Sequence, residues 1–228
     1  MIRVIKSIPN MLTLANLFCG CVAVTFALSG DAVTAFWFVV AAAVFDFLDG
    51  FAARLLKAHS PIGADLDSLA DMVSFGVAPS AVLFILGLEW FGFVVALFSA
   101  LRLAKFNIDQ RQTTEFIGLP TPANALFFMS IGYIVMSSSG SYLANVFSTR
   151  WFIYVLAATF SLLMVSEIRM FSLKFKSFRF GDNALRYCFI AVSAVLAAVL
   201  GVSAIPFVIV IYIIMSLVRN LLSVRKIS

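Results

Sequence analysis

Four aspartates lie close together in a chain that is otherwise strongly hydrophobic: Asp46, Asp49, Asp67 and Asp71. The segments on either side of them are apolar enough to span a bilayer. A carboxylate at membrane depth costs about 2.5–3.5 kcal/mol on insertion scales, so such residues usually mark a functional site. Because four carboxylates without an equal set of nearby cations would repel one another, the pattern indicates a site for divalent metal ions at a membrane surface.

The spacing divides the carboxylates into two pairs. Asp46 and Asp49 are three residues apart and Asp67 and Asp71 are four residues apart, so on helices each pair shares one face. A tight antiparallel pair of helices would bring both pairs together near the cytoplasmic ends. Hard oxygen ligands favour Mg²⁺, Mn²⁺ or Ca²⁺ over zinc. Two such ions could clamp a pyrophosphate and stabilise charge on the attacking and leaving oxygens.

The elements that must position these residues are membrane helices. Hydrophobic residues make up 63% of the 228 residues and charged residues only 12%, whereas a soluble domain carries about twice that charged fraction. We predict an all-α fold, a polytopic membrane helical bundle that forms a single domain over residues 1–228. Spans of roughly 20 apolar residues are predicted at eight places, about 11–29, 33–56, 66–87, 90–107, 121–138, 150–166, 185–201 and 203–221.

The basic residues separate to one side of this predicted bundle. Of the 16 lysines and arginines, all but Arg150 fall at the termini or in connections on the same side. The positive-inside rule therefore puts both termini and the aspartate region at the cytoplasm. The net charge of +5 is explained by this orientation, so the lipid bilayer and not nucleic acid is the expected partner. The three cysteines form no CxxC pair, and no zinc or redox site is predicted.

The stretch 46–71 also has a specific arrangement of fixed residues, which reads Asp46-xx-Asp49-Gly50-xx-Ala53-Arg54-x8-Gly63-xxx-Asp67-xxx-Asp71. At every fixed position this pattern resembles the signature of the CDP-alcohol phosphatidyltransferase family. The resemblance implies an integral membrane enzyme that transfers a phosphatidyl group from a CDP-activated lipid to an alcohol and releases CMP. It also implies a homodimer with its active site facing the cytoplasm.

The same resemblance assigns roles to individual residues. The four aspartates would hold two divalent cations, Mg²⁺ or Mn²⁺ with Ca²⁺ as a further candidate, on the pyrophosphate of the substrate. Asp71 would in addition be the catalytic base that takes the proton from the acceptor hydroxyl. The expected substrate-binding residues on the CDP side are Asn10, Thr13, Asp49, Gly50, Ala53, Arg54, Ser60 and Gly63.

The acceptor alcohol is not specified by the signature. Other stretches resemble the membrane-type phosphatidylserine synthases: SIPNMLTLANLFCGCVAV at 7–24, SLADMVSFGVAPS at 68–80, RLAKFN at 102–107, GLPTPANA at 118–125 and VSEIRMFSLK at 165–174. This resemblance implies CDP-diacylglycerol and L-serine as substrates. Arg102 and Lys105 could bind the serine carboxylate, and Asn107 its carboxylate or its ammonium group. Alternatively, the two cations serve only as positive-inside anchors.

Two other functions remain open from the sequence. A sister transferase would use another alcohol, such as glycerol-3-phosphate or inositol phosphate. A cation transporter would use the carboxylates as a midplane site, but it would predict broken helices and an inverted repeat, and no repeat is evident. The last two helices, a predicted hairpin over 185–221, are the least distinctive part of the chain.

Overall fold

The structure is a computed structural model that describes residues 7–58, 61–109, 116–138, 140–171 and 180–224. Its α-helices are α1 Ile8–Leu28, α2 Ala32–Leu55, α3 Pro61–Asp71, α4 Ala78–Leu83, α5 Val94–Ile108, α6 Thr121–Ser137, α7 Tyr142–Phe147, α8 Arg150–Val165, α9 Phe180–Leu200 and α10 Ile205–Val224. Tighter or wider helical turns connect some of them, at Met72–Val77, Phe84–Leu88, Glu89–Phe93 and Gly201–Ala204. Two short strands, β1 Phe116–Ile117 and β2 Arg169–Met170, complete the described elements.

The predicted fold class, an all-α membrane bundle, is confirmed. In the described part of the chain, four helical stretches are long and apolar enough to cross a membrane, namely Ile8–Leu28, Ala32–Leu55, Ile62–Ile108 and Asn183–Leu222. The last two have 47 and 40 residues, about twice what one crossing needs. They are interrupted at Gly87 and Gly201, where φ is positive. Shorter apolar helices lie at Thr121–Ser137 and Arg150–Val165. The count of eight spans and the cytoplasmic termini stay predictions.

Small side chains hold α1 and α2 together. Ala23 and Ala27 of α1 and Ala35 and Ala42 of α2 are fully buried in one core cluster. Residues of this size let two helix backbones approach closely inside a membrane. At the start of α2, Asp31 caps the helix because its Oδ1 accepts a hydrogen bond from the backbone N–H of Thr34 at 2.9 Å. The tight pair brings the first half of α1 beside the aspartates of α2.

The π-helical turn that follows α3 also packs closely against α1. The hydroxyl of Ser74 donates a hydrogen bond to the carbonyl oxygen of Asn16 at 3.1 Å. A side chain at Gly20 would collide with Ser74, so glycine permits this approach. Ser74 lies in the π-helical turn Met72–Val77 that begins directly after Asp71. Such turns often occur at functional sites because they re-aim neighbouring side chains.

The two strands join distant parts of the chain. They pair antiparallel, with Phe116 opposite Met170 and Ile117 opposite Arg169. Gly118 follows β1 with a φ of +75°, and a side chain there would collide with the carbonyl oxygen of Met164. The sequence did not predict these strands, since two residues are too few to show a periodicity.

Candidate active site

Three of the four aspartates converge between α2 and α3. One carboxylate oxygen from each of Asp46, Asp49 and Asp67 lies within 4.8 Å of the other two. Asp49 is buried, and Oδ1 of Asp67 is buried without a hydrogen-bond partner. Three carboxylates at this separation repel one another unless a cation lies between them, and their oxygens are the ligands that hard divalent cations prefer. The residues therefore fit a divalent metal site.

Asp71 lies one turn after Asp67 on α3 and is not part of that three-residue group. Its carboxyl is 9% exposed, and its Oδ1 accepts a hydrogen bond from Nδ2 of Asn16 at 3.3 Å. The charges that act on it are those of Asp46, Asp67 and Arg102. Asp71 is thus close enough to sense the charges of both the converging carboxylates and a buried guanidinium. Its roles as a fourth metal ligand and as a base stay predictions.

A cavity of about 630 Å³ opens beside the aspartates, within the size range of small-molecule sites. We call it the larger cavity. The predicted site residues that line it are Asn10, Thr13, Asp49, Gly50, Ala53, Arg54, Gly63 and Asp67. Pro9, Ala58, Ala64 and Phe106 complete its lining. Six of the eight signature residues, all except Asp46 and Asp71, thus line one surface together with Asn10 and Thr13. Ser60, the other predicted CDP contact, lies outside the described residues.

Two features shape the surface of the larger cavity. Oγ1 of Thr13 donates a hydrogen bond to Oδ2 of Asp49 at 2.6 Å and lies 3.0 Å from the carbonyl oxygen of Pro9. This contact ties α1 to α2 and orients the Asp49 carboxylate. At Gly50, a Cβ would have no neighbouring atom within 4 Å, so the helix backbone is open to the cavity. A ligand can approach the main chain there more closely than at any larger residue.

A second, smaller cavity lies at the C-terminal end of α5. It has a volume of about 20 Å³ and is lined by Arg102, Lys105, Asp109, Ile117, Met164, Val165, Ser166 and Glu167. This volume is close to that of one water molecule. Phe106 connects the two cavities, because its ring lies 5.6 Å from the Arg102 guanidinium and also lines the larger cavity.

The two cations in the smaller cavity differ in their surroundings. Arg102 is buried, and its Nη1 donates to Oγ1 of Thr121 at 3.1 Å while its Nε has no hydrogen-bond partner. Lys105 is exposed, and its Nζ donates to the carbonyl oxygen of Val165 at 3.3 Å and lies 3.7 Å from Oε1 of Glu167. Arg102 therefore keeps a buried donor available, whereas the charge of Lys105 is already balanced. This geometry therefore supports a role beyond that of a positive-inside anchor for Arg102 but not for Lys105.

Asn107 lies apart from both cavities. Its Nδ2 donates to Oγ of Ser68 at 2.9 Å, and both residues line an open groove between α3 and α5. Asn107 follows Lys105 by two residues, and residues two apart on a helix do not share a face. Its predicted contact with the acceptor therefore gains no support from its position and stays a prediction.

The comparison with known proteins agrees with this geometry. The family model described as CDP-alcohol phosphatidyltransferase matches residues 6–165, which include all four aspartates and the whole lining of the larger cavity. The chain belongs to the CDP-alcohol phosphatidyltransferase family. The helices α9 and α10 lie outside the matched range.

Several relatives of this CDP-alcohol phosphatidyltransferase carry the name CDP-diacylglycerol–serine O-phosphatidyltransferase. The chain is 36% identical to the one from Mycobacterium bovis over 179 residues, which are 73% of this chain and 61% of the relative. It is 40% identical to the Bacillus subtilis protein over 122 residues, 50% of this chain and 69% of the relative. It is 36% identical to the Methanocaldococcus jannaschii protein over 172 residues, 74% of this chain and 75% of the relative. The chain thus spans less than two thirds of the mycobacterial relative.

The transferase site also contains residues that the sequence reasoning missed. Asn16 is fully buried and binds Asp71, and Thr121 accepts the hydrogen bond from Arg102. Asn16 could have been found, because it follows Thr13 by three residues and shares its helix face. An amide in an apolar helix needs a polar partner, and the aspartates are the obvious candidates. Thr121 offered no such signal, since threonine is common at helix starts.

Proposed function

We propose that this protein transfers the phosphatidyl group of CDP-diacylglycerol to the hydroxyl of L-serine and so produces phosphatidylserine and CMP. The observation that carries the proposal is the convergence of Asp46, Asp49 and Asp67 beside a cavity lined by the residues of the family signature. The names of the relatives support serine as the acceptor. We also propose that the site faces the cytoplasm and that the enzyme is a homodimer, as the family resemblance implies.

The larger cavity is the proposed site of the CDP moiety. Arg54 is the cation on its lining and would pair with a phosphate oxygen. The open backbone at Gly50 leaves room for the nucleotide beside the helix. Asp46, Asp49 and Asp67, with Asp71 as a fourth ligand, would hold two divalent cations, Mg²⁺ or Mn²⁺. When bound, these ions would neutralise charge on the pyrophosphate and on the leaving CMP.

Asp71 is the proposed base of the transfer. The serine hydroxyl oxygen attacks the phosphorus that carries diacylglycerol, and the hydroxyl proton passes to the Asp71 carboxylate. The bond between this phosphorus and the bridging oxygen breaks, and CMP leaves with that oxygen. Asn16 donates to one oxygen of Asp71 and so orients the carboxylate that would take the proton. A base must lie within hydrogen-bond reach of its proton, and a fixed carboxylate meets that requirement best.

The surroundings of Arg102 favour an acceptor with a single negative charge. Its unpartnered Nε is a buried donor, which a carboxylate would satisfy. Lys105 is paired with Glu167, so the smaller cavity has less net positive charge than a phosphate dianion needs. Glu167 could also attract the ammonium group of an amino acid. These features support serine over glycerol-3-phosphate or inositol phosphate.

An acceptor panel tests the proposal. The protein is reconstituted with CDP-diacylglycerol and Mg²⁺ or Mn²⁺, and CMP release is measured with serine, glycerol-3-phosphate or inositol phosphate. We expect release with serine and its loss in Asp71→Asn. Activity with a phosphorylated acceptor but not with serine would reject serine as the substrate. Full activity of Asp71→Asn would reject Asp71 as the base.

A further inference from the structure

The helix α10, which lies outside the range of the family match, carries a row of polar side chains. Tyr212, Ser216 and Asn220 are spaced four residues apart and therefore share one face of the helix. Apart from Arg219 and Ser223, the rest of α10 is apolar, with the sequence IPFVIVIYIIMSLVRNLLSV. Polar side chains in such a helix are costly unless they have partners. We call these three residues the polar row.

All three residues bind the backbone of one short segment, β2 and the residue after it. The hydroxyl of Tyr212 donates to the carbonyl oxygen of Phe171 at 3.0 Å. The N–H of Phe171 donates to Oγ of Ser216 at 3.4 Å. Nδ2 of Asn220 donates to the carbonyl oxygen of Arg169 at 2.7 Å. Since every bond is to the main chain, the polar row fixes the path of the backbone from 169 to 171.

The same segment is also held by packing. Met170 and Phe171 are buried, with 0% and 1% exposure. The ring of Phe171 lies 4.8 Å from that of Tyr212 and 5.6 Å from that of Phe189 on α9. The C-terminal helix pair therefore binds the segment from 169 to 171 both by hydrogen bonds and by aromatic contacts.

β2 in turn pairs with the strand β1, which contributes to the wall of the smaller cavity. Arg169 pairs with Ile117 of β1, and Ile117 lines the smaller cavity together with the residues 164–167 that precede β2. Thr121, four residues after Ile117, accepts the hydrogen bond from Arg102. A shift of β2 would therefore move the wall of the cavity and the partner of its buried cation.

We propose that the polar row of α10 positions the strand pair that walls the smaller cavity, and thereby sets the affinity for the acceptor alcohol. Tyr212, Ser216 and Asn220 are positioning residues in this account. The inference rests on the proposed function, which assigns the carboxylate of the acceptor to Arg102 on the lining of this cavity. Among the residues that the structure describes, none from β1, β2 or α10 lines the larger cavity. The affinity for CDP-diacylglycerol should therefore be independent of the polar row.

The test compares Tyr212→Phe, Ser216→Ala and Asn220→Ala with the wild-type protein. We expect the KM for serine to rise about fivefold in each, as for the loss of one hydrogen bond, while the KM for CDP-diacylglycerol changes less than about twofold. Ser130→Ala is the matched control. Ser130 is buried, and its hydroxyl donates to the carbonyl oxygen of Phe127 in its own helix. Ser216 donates in the same way to the carbonyl oxygen of Tyr212. Of these two serines, only Ser216 also accepts the N–H of Phe171, the residue after β2.

Amide hydrogen exchange provides a readout that needs no acceptor. In Ser216→Ala the Phe171 N–H loses its acceptor, so its exchange should accelerate, whereas Ser130→Ala should leave it unchanged. An unchanged serine KM in all three variants, an equal rise in both KM values, or unaltered exchange at Phe171 would overturn the proposal. If the acceptor panel identifies another alcohol, the proposed substrate fails, and the polar row is tested by the same comparison with that alcohol.

Discussion

The two halves of the site are built in different ways. The half that contains the aspartates and the larger cavity comes from α1, α2 and α3, which follow one another in the chain, together with Phe106. The half around Arg102 combines α5, the start of α6, the strand pair and α10. Consecutive helices bring together the residues of the proposed metal and nucleotide sites, whereas long-range packing shapes the proposed acceptor side. Substitutions in the first half should therefore affect chemistry and nucleotide binding, and those in the second should affect the acceptor.

The largest effect should come from the carboxylates of the proposed metal site. Asp67→Asn removes one of three converging ligands, and CMP release should fall by about a thousandfold because charge on the pyrophosphate is no longer balanced. The initial rate at saturating substrates and its dependence on Mg²⁺ measure this change. Asp65→Asn is the matched control, since Asp65 is exposed on the same helix and lines the separate groove. A comparable loss in both variants would contradict the assignment.

The next largest effect should separate the two halves. Arg102→Gln removes the buried cation, and the KM for serine should rise about 30- to 100-fold, as for a lost buried charge pair. The KM for CDP-diacylglycerol should stay nearly constant. Lys105→Gln should change either constant by at most about threefold, because exposed ion pairs contribute little. An equal rise in both KM values for Arg102→Gln would remove the distinction between the halves.

Asn16 should affect turnover more than binding. Asn16→Ala frees the Asp71 carboxyl from its donor, and kcat should fall about 10- to 100-fold, the usual range for a residue that orients a catalytic ligand. Both KM values should change little. Cys19→Ala, one turn later on α1, removes a buried side chain without touching Asp71 and should retain kcat. Steady-state kinetics of the two variants decide this, and an unaltered kcat for Asn16→Ala would exclude the positioning role.

A smaller effect should be confined to the nucleotide half. Gly50→Ala adds a methyl group where the structure has open space, so the protein should fold normally while the KM for CDP-diacylglycerol rises about tenfold. The serine KM should not change. Thermal unfolding and substrate titrations measure the two expectations. A drop in stability with no change in KM would show that Gly50 serves the helix and not the nucleotide.

The same contrast explains what the sequence could predict. Asp49, Asp67, Gly50 and Arg54 were predicted together because helical spacing and one reversal of the chain bring them to a common surface. The hydrogen bonds of the polar row join residues 41 to 51 positions apart, which periodicity cannot reveal. The strands have two residues each, and the π-helical turn after Asp71 has no sequence signal. Asn107 was grouped with Arg102 and Lys105 by proximity in the chain, although it lies on another helix face.

The most direct test of the central claim is the fate of labelled serine. Reconstituted protein is given CDP-diacylglycerol, Mg²⁺ and radiolabelled L-serine, and both labelled lipid and released CMP are quantified. The account predicts phosphatidylserine and CMP in equal amounts, with both products lost in Asp67→Asn and retained in Asp65→Asn. CMP release without labelled lipid, or labelled lipid formed equally by Asp67→Asn, would contradict it.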